Sequence, residues 1–135
     1  MLIDGLIYLV QANPDTNALV GDWVYENSIP RGNVFPAVVV HSYNGTQDYD
    51  YAGPIGIREQ MVQFDTYGRT SVEARKLREA VRRLISRYKG TLPDGTTVQA
   101  AFLEREMDMP FLPNADAKGV SNRSVLGFRI VTENE

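Results

Sequence analysis

The chain has no cysteine and a single histidine, His41. Disulfide staples, a thiol nucleophile, a Cys-ligated metal centre and a multi-histidine metal site are therefore excluded by composition. None of Ser28, Ser42, Ser71, Ser86, Ser121 or Ser124 sits in a Gly-x-Ser-x-Gly elbow, and neither Gly-x-x-x-x-Gly-Lys nor Gly-x-Gly-x-x-Gly occurs. Serine hydrolysis and phosphate cradling thus lose their usual sequence support. A basic excess is also missing: 14 Lys and Arg against 17 Asp and Glu leave a net charge of −3, which argues against a general nucleic-acid binder. The apolar N-terminal run Met-Leu-Ile-Asp-Gly-Leu-Ile-Tyr-Leu-Val is too short to span a bilayer, and its acid and lack of a basic flank do not fit a secretory signal. No internal repeat and no linker is visible.

What is present suits one globular domain, residues 1–135, with 43% hydrophobic and 23% charged residues and enough length to bury a core. The stretch from Met61 to Tyr88 organises it. Val62, Phe64 and Thr66 alternate with Gln63 and Asp65, as in a strand with one face on a core. After Gly68 a long amphipathic helix is predicted, capped by Thr70 or Ser71, with Glu73 in its first turn, Arg82, Arg83, Arg87 and Lys89 towards its end, and Gly90 as its stop. Val72, Leu77, Val81, Leu84, Ile85 and Tyr88 form its apolar stripe, with Arg75, Arg78, Glu79 and Arg82 opposite. Such a helix spans roughly 30 Å, enough to cross several strands.

Around it, residues 2–12 have helix spacing up to Asn13-Pro14, and Asp15 is placed to cap a further turn that Gly21 closes. Trp23 to Tyr25 reads as a short strand, Ile29-Pro30-Arg31-Gly32 as a turn, and Ala37 to Tyr43 as a central strand. From Tyr43 to Gly56 the sequence has the character of a projecting hairpin tip; alternatively Asn44-Gly45 is a tight turn and 46–51 an extra strand. Leu92-Pro93-Asp94-Gly95 is turn chemistry before a strand from Val98 to Met107, residues 108–122 read as a second long excursion, and Arg123 to Thr132 as the last strand. The expected fold class is α+β: a mostly antiparallel sheet of about four strands covered by one long central helix and a short N-terminal helix, with long hairpin loops.

Chemistry is sparse. His41, at the end of an apolar strand, reads as structural or surface-facing rather than catalytic. The pairs Asp48/Asp50 and Glu104/Glu106 read as solvated acids, since no calcium-loop pattern surrounds them. No catalytic residue, metal or cofactor is expected. Eight of the 14 basic residues lie between Arg69 and Lys89. Arg75, Arg78 and Arg82 offer a phosphate-binding face, although Glu79 interleaves them and solvation or a protein contact is the plainer reading. Tyr43, Tyr49 and Tyr51 beside Asp48 and Asp50 fit a protein–protein contact better than base stacking, because the acids repel a phosphate backbone.

The stretch Val-Gln-Phe-Asp-Thr-Tyr-Gly-Arg-Thr-Ser-Val-Glu-Ala-Arg-Lys-Leu-Arg-Glu-Ala-Val-Arg-Arg-Leu, residues 62–84, resembles the tail-completion or tail-terminator proteins of long-tailed bacteriophages. In these a strand ends in an Asp-x-Tyr-like sequence and the following helix opens with Glu-Ala. Ala-Leu-Val-Gly at 18–21, Val-Tyr at 24–25, Phe-Pro-Ala-Val-Val at 35–39 and the final Gly-Phe-Arg-Ile extend the likeness over most of the chain. The resemblance implies a non-enzymatic virion protein, assembled in the host cytoplasm, that forms a ring, six-fold in such proteins, at the head-proximal end of the tail. It would stop tube growth and meet the neck or head connector, with the tail tube protein below and genome DNA only passing through, and no membrane partner. On that reading Tyr43, Asp48, Tyr49, Asp50, Tyr51, Met109, Phe111 and Leu112, in the two long excursions, are the expected interface. A neck or head-completion role in the same virion is the near variant, and a small nucleic-acid-binding module using the basic face of helix 70–89 the alternative.

Overall fold

A computed structural model of the chain describes residues 2–21, 23–27, 36–50, 53–86, 88–109 and 122–133. They form α1 (Leu2–Ala12), α2 (Pro14–Val20), β1 (Val24–Glu26), β2 (Ala37–Asp50), β3 (Gly53–Gly68), α3 (Ser71–Ile85), β4 (Gly90–Thr91), β5 (Thr97–Met109) and β6 (Asn122–Glu133). The strands make one six-stranded sheet in the order β1-β2-β3-β6-β5-β4. The expected turn at Ile29–Gly32 lies outside the described residues.

The mostly antiparallel sheet of about four strands, covered by one long central helix and a short N-terminal helix, is not what forms. The sheet is mixed, since β1 runs parallel to β2, and it curls into a half-barrel accompanied by three helices. Two physical features account for the difference. Strand pairing continues through the supposed hairpin tip: Asn44-Gly45 is neither a tip nor a tight turn, but falls in a register shift between Ser42 and Gly45, and pairing resumes through Gly45↔Gln60 to Asp50↔Gly53. Such irregularities let a strand keep its partner while it bends and twists, which suits a curled sheet. The central helix is also shorter than expected. It ends at Ile85, where Ser86 turns extended (φ −59, ψ 124) and its N–H bonds Arg82 O, so Gly90 opens β4 instead of stopping the helix. At 1.5 Å per residue α3 is about 22 Å long.

Local chemistry explains the helix starts. Thr70 accepts a hydrogen bond from the Glu73 N–H at 3.1 Å, and the Glu73 carboxylate accepts one from the Arg69 N–H. For α2 the cap is Asn13, not Asp15: Pro14 takes the first helical position, so the Asn13 carboxamide oxygen receives the Asp15 and Thr16 N–H groups.

The core lies between the helices and one face of the sheet. Val62, Phe64, Leu126, Phe128 and Ile130 are fully buried there, and the Phe64 and Phe128 rings meet edge-on at 5.8 Å. Ala74, Leu77, Val81 and Ile85 are the buried stripe of α3, whereas Val72 is 51% exposed and Leu84 and Tyr88 only partly buried. The joint between β3 and α3 has no spare room: a Cβ on Gly68 would stand 2.6 Å from the Ala74 backbone nitrogen, and Thr66 Oγ1 donates to Ala74 O at 3.1 Å.

Replacing Leu77 by alanine is expected to lower unfolding free energy by about 2–5 kcal/mol. Leu84→Ala should cost less, and Arg75→Ala should stay within about 0.5 kcal/mol. Urea denaturation of the three variants checks the order, and equal midpoints for Leu77→Ala and Arg75→Ala would reverse the orientation of α3.

Candidate functional site

Surfaces rather than a pocket carry the functional geometry. Each end of the sheet is a long strand with a very short neighbour. β1 pairs with β2 only over Val38 to Val40, and β4 with β5 only over Thr97 and Val98. Among the described residues nothing else pairs with the outer edges of β2 from His41 or of β5 from Gln99, so both present free backbone donors and acceptors. β5 is open in a second way. From Phe102 to Asp108 every side chain is exposed, on both faces, because α3 packs mainly over β3 and β6 and touches β5 only lightly. Leu103 and Met107 thereby stand in solvent at 37% and 42% exposure.

The face turned away from the helices is charged but internally paired. Arg129 lies across it, donating to Glu104 at 2.8 Å and to Glu59 at 3.1 Å, with its guanidinium 4.8 Å from the Phe102 ring centroid. Arg123 donates to buried Asp65 at 2.7 Å and lies over the Tyr67 ring, whose burial raises the phenol pKa above its ordinary value. Arg105 reaches Gln63 at 3.2 Å. Three arginines thus expend their charge or donors within the sheet.

The basic helix face is likewise engaged. Arg78, only 14% exposed, bridges α3 to β5, 2.6 Å from Asp108 and 3.2 Å from Glu106. Arg82 grips Glu79 at 2.7 Å and holds that carboxyl below its usual pKa. Arg75, Lys76 and Arg83 remain at the rim of a groove between α2 and α3 floored by Leu19, Val72 and Leu84. No three His, Asp or Glu side chains among the described residues gather at metal-binding spacing.

The residues expected at the interface divide into separate places. Tyr43 is half-buried on the helix-free face, over β6, where its hydroxyl would be 3.4 Å from a Cβ on Gly127. Asp48, Tyr49 and Asp50 belong to β2 itself, with Tyr49 opposite Pro54 and Asp50 opposite Gly53. Met109 ends β5 opposite Arg123. Tyr51, Phe111 and Leu112 lie outside the described residues. Asp50 and Met109 mark opposite ends of the sheet, since Ile57↔Glu133 lies near the first and Gly68↔Asn122 near the second. The exposed pair Leu103 and Met107 was missed by pattern reading. Its signal was present: Glu104, Arg105 and Glu106 put charge on both parities of one strand, which no half-buried strand does.

The sequence model of a family described as Tail completion protein gp17 matches residues 5–133. A chain in the solved structure of the virion of a native gene transfer agent particle has the same fold, with a TM-score of 0.73 over 98% of this chain and 95% of that one, at 19% identity. No curated protein matches the chain.

Leu103→Ser combined with Met107→Ser should leave unfolding free energy within about 1 kcal/mol of the parent, whereas Phe128→Ala should cost about 3–5 kcal/mol. Chemical denaturation measures both, and a large loss in the double variant would mean that β5 is covered within the monomer.

Proposed function

The chain belongs to the Tail completion protein gp17 family, and from that membership we propose that this structural tail protein forms a ring capping the head-proximal end of the tail tube. Residues 1–135 act in it as a single domain, six copies to a ring. The ring ends tube growth on one side and joins the neck or head connector on the other. That a chain of a virion particle has this fold supports a place in the particle.

The observation that carries the ring is the pair of open strand edges at opposite ends of one curled sheet. Different surfaces that complement each other make a head-to-tail contact, which closes into a ring when the rotation per copy divides a full turn. β2, β3, β6 and β5 alternate in direction, so β5 runs opposite to β2. Rotation about an axis along the strands therefore brings β5 of one copy against β2 of the next in the antiparallel sense. The levels match as well. His41 is level with Arg105 through Gln63 and Gly127, and Thr46 with Ala100 through Glu59 and Val131. Both stretches fall where β1 and β4 leave the edges open.

Once a ring forms, the two strand ends serve different neighbours. β2 ends with Asp48, Tyr49 and Asp50 at one end of the sheet and β5 ends with Met109 at the other, and we assign these two ends, with Tyr51, Phe111 and Leu112 that follow them in sequence, to the tube below and the connector above. Aromatic and large apolar side chains of this kind often dominate interface energy. Genome DNA passes through without being held. Arg78 and Arg82 already bond acids, which weakens the nucleic-acid alternative.

The purified chain should sediment as a closed oligomer, and Leu103→Lys with Met107→Lys, which places charge along the β5 edge, should leave folded monomers. Tails assembled with that variant should be abnormally long and poorly joined to heads. Normal tail length and normal yields of joined particles would overturn the ring. Tight duplex binding at physiological salt, lost in Arg75→Glu with Arg83→Glu, would instead support the nucleic-acid module.

A further inference from the structure

Besides its buried stripe, α3 has a second line of side chains. Val72, Lys76, Ala80 and Leu84 follow one another at four-residue steps, with Arg75, Glu79 and Arg83 beside them, and all of these line the groove between α3 and α2. Residues at that spacing stack on one helix face. Across the groove α2 contributes Ala18 and Leu19. Ala18 and Ala80 have no side chain beyond Cβ, so the two helices leave an open trough in place of an interlocked seam. Val72 and Leu19 are both exposed there. From Val72 to Leu84 the trough runs about 18 Å at 1.5 Å per residue, and beyond Val72 it continues past Thr70 to Pro36.

The charge at its rim is one-sided. Glu79 is taken up by Arg82, which leaves Asp15 as the other acid. Arg75, Lys76 and Arg83 are exposed, and among the described residues no side-chain hydrogen bond or ion pair engages them. The trough is therefore an apolar strip with a basic border. No strand residue lines it, so it is separate from the open edges of β2 and β5.

We propose that this trough docks an amphipathic helix of another protein of the particle, with large apolar side chains on one face and Asp or Glu along its flank. The site stands apart from the ring, since no residue of the open strand edges takes part. A helix fits because a trough walled by two helices presents side chains and no unpaired ladder groups, so its occupant must satisfy its own backbone. Apolar side chains at three- and four-residue steps settle over Ala80, between Val72 and Leu84. Charge complementarity sets the flank. Arg75 and Arg83 lie on one line of α3 about 12 Å apart along its axis, so acids about two turns apart in the occupant meet both. Duplex DNA fits less well, because it leaves Val72 and Leu19 in water and brings phosphates to Asp15. Rim charges of this sort act mainly on association rate and salt response, so docking weakens as salt rises.

The absence of native cysteine lets the trough be read by thiol labelling. Val72→Cys, and separately Leu19→Cys, should react freely with a maleimide in the purified chain and about tenfold more slowly in assembled tails. The chemistry of the occupant is tested on the purified chain with a fluorescent helical peptide that has leucines on one face and two glutamates about two turns apart. It should bind about tenfold more tightly than the same peptide with lysines for glutamates, and Arg75→Glu with Arg83→Glu should invert that order with thermal unfolding unchanged. Equal labelling in purified chain and tails, equal affinity for the two peptides, or an undiminished preference in the charge-reversed chain overturns the proposal. Protection already present in the purified monomer assigns the trough to the chain's own residues 28–35, which precede Pro36 in sequence, and protection that appears on self-association assigns it to a second copy. Protection conferred by duplex DNA at physiological salt assigns it to nucleic acid. Each of these three also overturns the proposal, and none of them touches the ring.

Discussion

The antiparallel register between β3 and β6 is the constraint on which the other elements depend. It runs without a shift from Ile57↔Glu133 to Gly68↔Asn122. On one side it aligns Phe64 with Leu126 and Val62 with Phe128, and α3 closes over them. On the other it sets Asp65 and Tyr67 where Arg123 reaches both. A slip of one residue would turn the fully buried aromatics to the charged face and bring Asp65 into the core. Burial of charge without its partner costs far more than a strand pair contributes, so the register is strongly specified.

Outward from that pair the sheet grows less complete. β2 and β5 each have a full partner on the inside and a fragment on the outside. Long open edges invite irregular pairing, which natural proteins restrain with charge and distortion. Here Glu104, Arg105, Glu106 and Asp108 load β5 with charge, while β2 and β5 both carry register shifts. In the proposed ring, a cognate neighbour at the matching level would satisfy the open groups that a random partner would not.

Charge pairing across long sequence separations decides what the surface offers. The segment from Arg69 to Lys89 looks basic when read alone, yet folding brings Glu106 and Asp108 from β5 against Arg78. Glu59 and Glu104 reach Arg129 from two different strands in the same way. Desolvating a guanidinium beside a carboxylate fixes strand against helix and removes that cation from the field felt by a polyanion. Arg75, Lys76 and Arg83 line the rim of the groove between α2 and α3 instead.

The alternation of Val62, Phe64 and Thr66, the capping chemistry at Thr70, the helix of residues 2–12, and the alternating last strand are local properties, set by side-chain period and by backbone groups within a few residues of each other. The sequence by itself therefore determined these elements, their buried faces, and, through the ordered motifs of residues 62–84 and their flanks, the family. Where β2 ends, where α3 stops, whether Asn44-Gly45 turns or is taken up in a bent ladder, and which cations are already paired were decided only by the tertiary structure. Asn-Gly favours a turn when nothing competes, but here the strand opposite continues to offer partners from Gln60 to Gly53. Ladder hydrogen bonds to a distant segment outweigh a local preference worth a fraction of that, and no local pattern records where such a segment will lie.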